Sequence, residues 1–535
     1  MELIDQHTKK LMEQCKVRAF DAGLKFDDES LEYIVTNRDL LELSPKVMIP
    51  TLYDYWVHDV EVLKESGKYK LYPNNPYETV INSRPAVSFY NDNNPDWLNI
   101  MIFYHVLGHI DFFQNNVLFE KTWDDDFVGQ ALADKRLIAS LRSQHGRWVD
   151  YVIEFSRSIN NLVGYYIGLS KHHFPKELEP SSKIDYYFDV FLQQVENVPE
   201  HEFFREIERY NKLLKEEPST AESSFFSDAK TKYPEFQSKY EKHIEKEEDP
   251  PVDLMEFIMK YSPFLQKEEN LWMKEVITIV RNTALYFGPQ MRSKIINEGW
   301  ASYWHDDLFR TDDRIKGHES AYAKTNAMVT SLSRVGLNPY AIGLRLIQYV
   351  EELANKGKLS YFFQRNQNSD IRENYDQKTG RGREAIFDLR TKFSDFMLVN
   401  TFVDQDFVDM HDLFVVGQRA NQERRTMEYY IKSRKAKDYK QMILDSLAHP
   451  PNIKINVSKT DGKNLYLNHV FEGKQLYKDY INDTMVGIEY LWGGQVELET
   501  TEIVIPQANI ETQGGKVYRR VHYTMKDKKL IKKNL

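Results

Sequence analysis

The sequence predicts a mainly α-helical N-terminal domain, residues 1–375, followed by a smaller α+β C-terminal domain, residues 376–535. The chain has 535 residues, which is more than one hydrophobic core usually organises, so two or three domains are expected. Apolar residues in the first 355 positions recur mostly with the helical period of 3.6. After about residue 380 the pattern changes to short runs of β-branched and aromatic residues, which are typical of strands.

The helical pattern of the N-terminal part is clearest in four segments, which Pro and Asn clusters separate from their neighbours. They are residues 96–113, 147–169, 270–288 and 340–357. Between them, residues 175–250 are polar and close with the charged run KYEKHIEKEEDPP. We expect this stretch to be a variable, partly helical insert.

The strand pattern of the C-terminal part is clearest around a turn signal. NIKINVSKTDGKNLYLNHVF (452–471) predicts two strands joined by TDGKN. QVELETTEIVIPQ (495–507) and KVYRRVHYTM (516–525) alternate as further strands, with a helix expected near 474–490. GREAIFDLRTKFSDFMLVNTF (382–402) carries the same short β-branched and aromatic runs.

Composition and charge exclude several classes of protein. Hydrophobic residues make up 41% of the chain and charged residues 28%, which indicates a globular protein. The formal net charge of -10 argues against nucleic acid as a partner, and the basic end KDKKLIKKNL is interpreted as a solvated tail.

Cysteine usage and the apolar runs predict a cytoplasmic protein. Cys15 is the only cysteine, so neither an internal disulfide nor a thiolate metal cluster is possible, which fits a reducing compartment. The N-terminus lacks the apolar core of a signal peptide, and no run of about 18 apolar residues predicts membrane insertion.

The segment YHVLGHIDFFQNN (104–116) contains two histidines, His105 and His109, at the spacing with which zinc peptidases hold a metal. On a helix, positions i and i+4 differ by about 40° around the axis, so both imidazoles face one side. The glutamate that such peptidases place after the first histidine is missing, because Val106 stands there. A pair of packed core histidines is the alternative interpretation.

A second segment, INEGWASYWH (296–305), offers further ligands. Glu298 and His305 lie seven residues apart, which is two helical turns, so both can face one side of a helix. Glu298 suits the third ligand position of a zinc centre, with His305 or water as a fourth ligand. Alternatively, Glu298 caps a helix and His305 packs among aromatic residues.

A hydrolase built on this set needs a general base other than residue 106. Glu298, His305, Asp111 and Glu78 are the candidates for acid–base catalysis. Asp150 and Glu154 form another i, i+4 carboxylate pair, which suits either a two-metal centre or, more commonly, a solvated helix face.

These segments together resemble the SpoVR family, named for stage V sporulation protein R. The matching stretches are GLKF (23–26), PTLYDYW (50–56), YETVINSRPAVSF (77–89), HVLGHIDFFQNN (105–116), VDLMEFIMKYSPFL (252–265), NEGWASYWH (297–305), LNPYAIGL (337–344), FDLR (387–390), DLF (412–414), LYLNHVFEG (465–473) and LWGGQVELET (491–500). NEGWASYWH and HVLGHIDFFQNN are the most specific of them.

The resemblance implies a link to sporulation and the peptidoglycan cortex of the spore, or to a stress response, without an established reaction. It also implies a PrkA-type serine kinase and a von Willebrand-type protein as partners. His105, His109, Glu298 and His305 match the family pattern position by position. The chain departs from it at Thr283, Glu154 and Ser156, which puts a larger carboxylate cluster in doubt.

Two hypotheses follow for function. The first is a metal-dependent enzyme, hydrolase-like, in which His105, His109, Glu298 and His305 bind zinc, iron or manganese, with Asn297 or Asn115 supporting them. The second is a non-catalytic adaptor for the kinase system, in which the same side chains form a buried hydrogen-bonded network.

Overall fold

The computed structural model describes residues 2–27, 29–36, 79–123, 126–166, 182–196, 198, 200–216, 220–244, 253–360, 362–363, 368, 371–372, 374–421, 425–504 and 517–535. Within these ranges it forms two compact units, residues 1–168 with 253–535, and residues 169–252. The domain boundary expected at residue 375 stays a prediction.

Helices dominate the N-terminal part, and sheets occupy much of the C-terminal part, which confirms the predicted fold class. The described α-helices of eight or more residues are α1 (Gln6–Asp21), α2 (Asp96–Asn115), α3 (Phe127–His145), α4 (Trp148–Arg157), α5 (Glu200–Glu216), α6 (Ala221–Lys232), α7 (Phe236–Ile244), α8 (Leu254–Tyr261), α9 (Leu271–Arg292), α10 (Lys294–Arg310), α11 (Glu319–Thr330), α12 (Pro339–Asn355), α13 (Gly382–Lys392), α14 (Asp395–Phe402), α15 (Ala436–Ser446) and α16 (Lys478–Trp492). Tyr186–Val195 is a π-helix of ten residues. Shorter helical segments are Val117–Thr122, Asn160–Leu162, Ser182–Asp185, Glu268–Asn270, Asp313–Ile315, Gln405–Met410 and Val457–Lys459.

The core of the larger unit is built around α2, α10 and α12. Every residue of α2 from Asn99 to Phe113 is buried, so the helix is covered on all sides. A helix that is apolar around its whole circumference lies inside a protein rather than on its surface. Trp300 and Trp304 of α10 are fully buried in the same core.

Glycines let these three helices approach one another closely. A Cβ atom on Gly108 of α2 would lie 2.8 Å from the Cα of Ala301 in α10. On the other side of α10, a Cβ on Gly343 of α12 would lie 2.0 Å from the carbonyl oxygen of Ile295 and 2.8 Å from the Cα of Gly299. Only glycine fits at such backbone contacts, which bring α2, α10 and α12 together.

A carboxylate from a distant segment caps the start of α10. Asp395 is buried and accepts hydrogen bonds from the backbone N–H groups of Ile295 and Ile296, each at 2.9 Å. These N–H groups lack partners within the helix, so an external acceptor stabilises this helix end. Burial raises the pKa of the Asp395 carboxyl to about 7, although both N–H donors favour its charged form.

The strands form three sheets. They are β1 (Glu2–Leu3), β2 (Ser30–Val35), β3 (Thr79–Ile81), β4 (Ala86–Asn91), β5 (Val415–Asn421), β6 (Thr426–Ser433), β7 (Asn452–Ile455), β8 (Asn464–Val470), β9 (Gln495–Val504), β10 (Val517–Lys526) and β11 (Lys529–Asn534). The orders are β1-β2-β4-β3, β5-β6 and β11-β10-β9-β8-β7, antiparallel except for the parallel pairs β2/β4 and β8/β9. The first sheet lies in the part expected to be helical, where its strands are short.

The strands predicted after residue 450 are present, with β7 and β8 antiparallel around the TDGKN turn. Residues 382–402, however, form helices α13 and α14 rather than strands. Their buried residues include Ile386, Leu389, Leu398 and Val399. These positions recur at helical spacing, and this burial outweighs the strand propensity of single β-branched residues.

The smaller unit, residues 169–252, has an aromatic core of its own. Tyr187, Phe191, Phe225 and Phe236 are fully buried within it. Glu206 accepts hydrogen bonds from Tyr187, Arg209 and Lys232 at the edge of this core.

None of the helices in the described ranges combines the length and the apolar composition needed to span a membrane.

Candidate metal centre

His105 contacts His305, and His109 contacts Asn297. Helices α2 and α10 therefore run antiparallel across the core. His105 and His109 lie on the same face of α2, with ring centroids 4.7 Å apart. Both imidazoles are buried. The predicted i, i+4 geometry therefore directs two imidazoles toward Glu298 on the facing helix.

The Nε2 atoms of both histidines point at one carboxylate oxygen. Oε2 of Glu298 lies 3.8 Å from Nε2 of His105 and 3.5 Å from Nε2 of His109. These separations exceed the 2.7–3.2 Å typical of an N–H···O hydrogen bond. Two ligand atoms about 2.0–2.1 Å from a tetrahedral ion lie roughly 3.4 Å apart, so the spacing fits ligands around a common cation.

Among the described residues, these three side chains are the single group of three or more His, Cys, Asp or Glu residues arranged to hold a metal ion, with ligand atoms within 4.8 Å of one another. Oε2 of Glu298 is buried and makes no hydrogen bond in the described part of the chain. An anionic oxygen in such a position is costly unless a cation compensates it.

An asparagine next to the carboxylate orients His109. Nδ1 of His109 lies 2.9 Å from Oδ1 of Asn297, an acceptor, so Nδ1 carries the proton and donates. In a neutral imidazole this leaves the lone pair on Nε2, the atom that faces Glu298. Asn297 thus has the supporting role expected from the sequence.

A longer chain of hydrogen bonds orients His105. The Asp306 carboxylate accepts from Nδ2 of Asn326 at 3.1 Å, so Oδ1 of Asn326 faces Nε2 of His305 at 3.0 Å. A neutral His305 therefore donates through Nε2 and accepts through Nδ1. Nδ1 of His105, 2.8 Å away, is then the donor, which leaves the lone pair of His105 on Nε2.

His305 therefore lies beside the cluster rather than in it. Both of its ring nitrogens are within hydrogen-bond distance of protein atoms, one of His105 and one of Asn326. Its ring centroid lies 5.1 Å from that of His105. The arrangement suits a residue that orients a ligand through its outer nitrogen.

Asp111 has a different environment from the two histidines. Two residues along a helix correspond to about 200° of rotation, so Asp111 faces away from His109. Its carboxylate accepts from the backbone N–H of Lys25 at 2.7 Å and from Nε1 of Trp300 at 2.8 Å, and lies 3.3 Å from Nε of Arg390. Burial raises the pKa of Asp111 to about 6, against the opposing effect of Arg390.

We expect Asp111→Ala to lower the free energy of unfolding by about 3–5 kcal/mol, because it leaves a buried guanidinium without its carboxylate. The matched control is Asp150→Ala, which breaks a half-exposed pair with Arg142 and is expected to cost about 1 kcal/mol or less. Urea denaturation of both variants measures the difference. Equal losses would contradict a structural role for the Asp111–Arg390 pair.

The remaining predicted residues lie elsewhere or outside the described ranges. Glu78 falls outside the residues that the structure describes. Asp150 pairs with Arg142 at 2.7 Å and Glu154 lies 3.5 Å from Arg157, both on the exposed side of α4. Asn115 donates to the carbonyl oxygens of Lys25 and Asp111, away from the cluster.

Sequence reasoning missed Asn326, Tyr340 and Asp395. The ring of Tyr340 stacks on His105, with centroids 5.9 Å apart and planes at 24°. Tyr340 lies in the LNPYAIGL segment, so the resemblance offered a signal for it. Asn326 and Asp395 offered none, because a single Asn or Asp on a helix has no distinguishing pattern.

Fold and site define a helical protein with two buried histidines and a partly buried glutamate clustered between two antiparallel helices. A family model described as SpoVR like protein matches residues 4–450, so the chain belongs to the SpoVR-like family. It is also similar to Uncharacterized protein YcgB of Escherichia coli (strain K12), with 22% identity over 488 residues, which cover 87% of this chain and 86% of the relative. No solved structure matches the chain.

Proposed function

We propose that the chain is a metal-dependent enzyme of hydrolytic type, in which His105, His109 and Glu298 hold one divalent ion of zinc, iron or manganese. The observation that carries this proposal is the spacing around Oε2 of Glu298, at 3.5 and 3.8 Å from the two imidazoles. A hydrogen-bonded network would bring these atoms closer together. Two imidazoles and a carboxylate suit any of the three metals.

The divalent ion, when bound, supplies Lewis-acid polarisation of a substrate oxygen. The protein's part is to hold the ligands in place. Asn297 fixes the tautomer of His109, and His305 with Asn326 fixes that of His105. Stacking of Tyr340 on His105 limits rotation of that ring. We therefore assign His305 to positioning rather than to the ligand set.

The residue that accepts the proton has to differ from that of the usual zinc peptidase, since the position after the first histidine is held by Val106, which is apolar and buried. We assign this role to Oε1 of Glu298, since Oε2 is the oxygen assigned to the ion. Asp111 faces the opposite side of α2, where Trp300 and Arg390 engage it. Glu78 remains a further candidate base from the sequence.

For this enzyme we propose a cytoplasmic role in making the peptidoglycan cortex of the spore, or in a stress response, as the resemblance to the SpoVR family implies. Its proposed substrate is a peptidoglycan precursor or an amide bond. The same resemblance implies a PrkA-type serine kinase and a von Willebrand-type protein, which we propose as partners. An adaptor without a metal is the competing function. Elemental analysis of the purified protein separates the two, because the enzyme requires a stoichiometric metal.

The orienting role of Asn326 allows a test of the metal site that leaves its three ligand residues unchanged. We expect Asn326→Leu to weaken metal binding about 10–100-fold, because His305 loses the acceptor that fixes its tautomer. Competition with a chelator measures the affinity. Lys324→Ala, at an exposed position of the same helix, is the control and should bind as the wild type does. Unchanged metal affinity in Asn326→Leu would show that the hydrogen bonds from Asn326 through His305 to His105 do not orient the metal ligand.

A further inference from the structure

The larger unit also contains a cavity whose lining residues differ from those of the metal cluster. A cavity of about 1050 Å³ opens between α4, α15, α16 and strands β7 and β8. None of His105, His109 and Glu298 lines it. Cavities that bind small molecules usually measure roughly 300–1000 Å³, so this one is large enough for an organic ligand.

The wall of the cavity is mainly apolar. Phe155, Phe396, Leu444, Tyr480 and Ile488 are among the side chains that line it. Such a wall binds the hydrocarbon or aromatic part of a ligand by excluding water. Its few polar groups then decide which ligand is accepted.

The principal polar group is the Glu472 carboxylate. Its Oε2 accepts a hydrogen bond from the Tyr166 hydroxyl at 3.1 Å and lies 3.4 Å from Nε2 of His449, and its Oε1 accepts from Asn452 at 3.3 Å. His449 stacks on Phe396, with ring centroids 3.8 Å apart. Burial lowers the pKa of His449, although Glu472 opposes this effect, so the environment favours the neutral imidazole beside the carboxylate.

Negative charge predominates around the cavity. Four carboxylates line it: Glu154, Asp445, Glu472 and Asp483. Lys474 is the one Lys or Arg among the described lining residues. Arg292 lies behind the wall, where its guanidinium donates to the carbonyl oxygens of Asn161 and Val163. In the described part of the chain, Glu154 alone of the four carboxylates has a Lys or Arg partner within 4.0 Å, Arg157, whereas the basic neighbour of Glu472 is His449 at 3.4 Å.

We propose that this cavity binds a small organic cation, an alkylammonium group attached to an apolar body, with Glu472 as its counter-ion. The apolar wall accepts the body, and the carboxylate accepts hydrogen bonds from the ammonium group. The ring of Tyr480, which also lines the cavity, suits a cation by its electron-rich face, whereas the ring of Tyr477 already has Nζ of Lys474 5.9 Å from its centroid. Charge complementarity selects against carboxylates and phosphates.

Three fluorescent probes of matched size test the proposal on the full chain. Dansylcadaverine carries an ammonium group, N-pentyl dansylamide is neutral, and dansyl-6-aminohexanoate carries a carboxylate. We expect the ammonium probe to bind at least about tenfold more tightly than the neutral one, as a charged hydrogen bond allows, and the carboxylate probe to bind most weakly. Dansyl emission at increasing protein concentration measures each affinity.

Two variants connect this preference to the cavity. Glu472→Gln should reduce the advantage of the ammonium probe over the neutral one to about twofold or less. Leu444→Trp should weaken all three probes by filling the space. Glu428→Gln is the control and should change nothing, because Glu428 lies on β6 in a partly exposed ion pair with Arg419 of β5. Circular dichroism checks that each variant is folded.

The proposal is overturned if the carboxylate probe binds as tightly as the ammonium probe, or if Glu472→Gln keeps the full ammonium preference. Absence of binding by all three probes at millimolar concentration would also overturn it. Metal content is unaffected by these outcomes, so the test is independent of the proposed enzyme function.

Discussion

Purified protein is expected to carry about one equivalent of zinc, iron or manganese, and replacing His105 and His109 together with alanine is expected to remove it. The binding free energy of a divalent ion at a protein site is about 10–16 kcal/mol, so each protein ligand contributes roughly 3 kcal/mol or more when this energy is divided among the ligands. Removing one ligand therefore weakens binding about 100-fold, and removing two abolishes it in practice. Elemental analysis after dialysis measures the metal content.

Glu298→Gln sharpens this prediction, because it retains the shape of the side chain and removes its charge. A hydrogen-bonded network would tolerate the amide, whereas a cation would lose an anionic ligand and bind about 100-fold more weakly. His145→Ala is the matched control, since His145 stacks on Trp272 away from the cluster. Metal-free wild-type protein would support the adaptor instead, and equal metal content in Glu298→Gln and wild type would contradict the assignment of Glu298 as a ligand.

The second large effect is expected from Gly343→Ala. A new Cβ would lie 2.0 Å from the carbonyl oxygen of Ile295 and 2.8 Å from the Cα of Gly299, and both are backbone atoms that cannot rotate away. Overpacking of a core usually costs about 1–3 kcal/mol, and a backbone clash of this size should cost at least the upper value. Thermal and urea unfolding measure the loss.

Gly462→Ala is the control for this substitution. Its Cβ would lie 3.5 Å from Cγ of Pro263, an ordinary contact, so we expect a change within about 0.5 kcal/mol. Because Gly343→Ala separates α12 from α10, it should also displace Tyr340 from His105 and lower metal affinity. Wild-type stability in Gly343→Ala would show that the three helices are not held in close backbone contact.

The two halves of the cluster differ in how far sequence could predict them. The spacing of His105 and His109 depends only on the helix that contains them, so the shared face followed from local geometry. Glu298 lies 189 positions after His109, and no periodic pattern connects residues that far apart. Its place as third ligand was a hypothesis from chemistry, and the antiparallel packing of α2 and α10 brings it to the imidazoles.

The sequence by itself determined the helices expected at 96–113, 270–288 and 340–357 and the strands after residue 450, because hydrophobic periodicity and turn residues are local. The helix expected at 147–169 ends at Arg157. Tertiary structure decided which polar side chains meet. It joined Asn326 to His305 and Asp395 to the start of α10, and it assigned residues 382–402 to helices. The physical reason is that hydrogen bonds and burial between distant segments depend on how the helices pack, and glycines at helix contacts fix that packing.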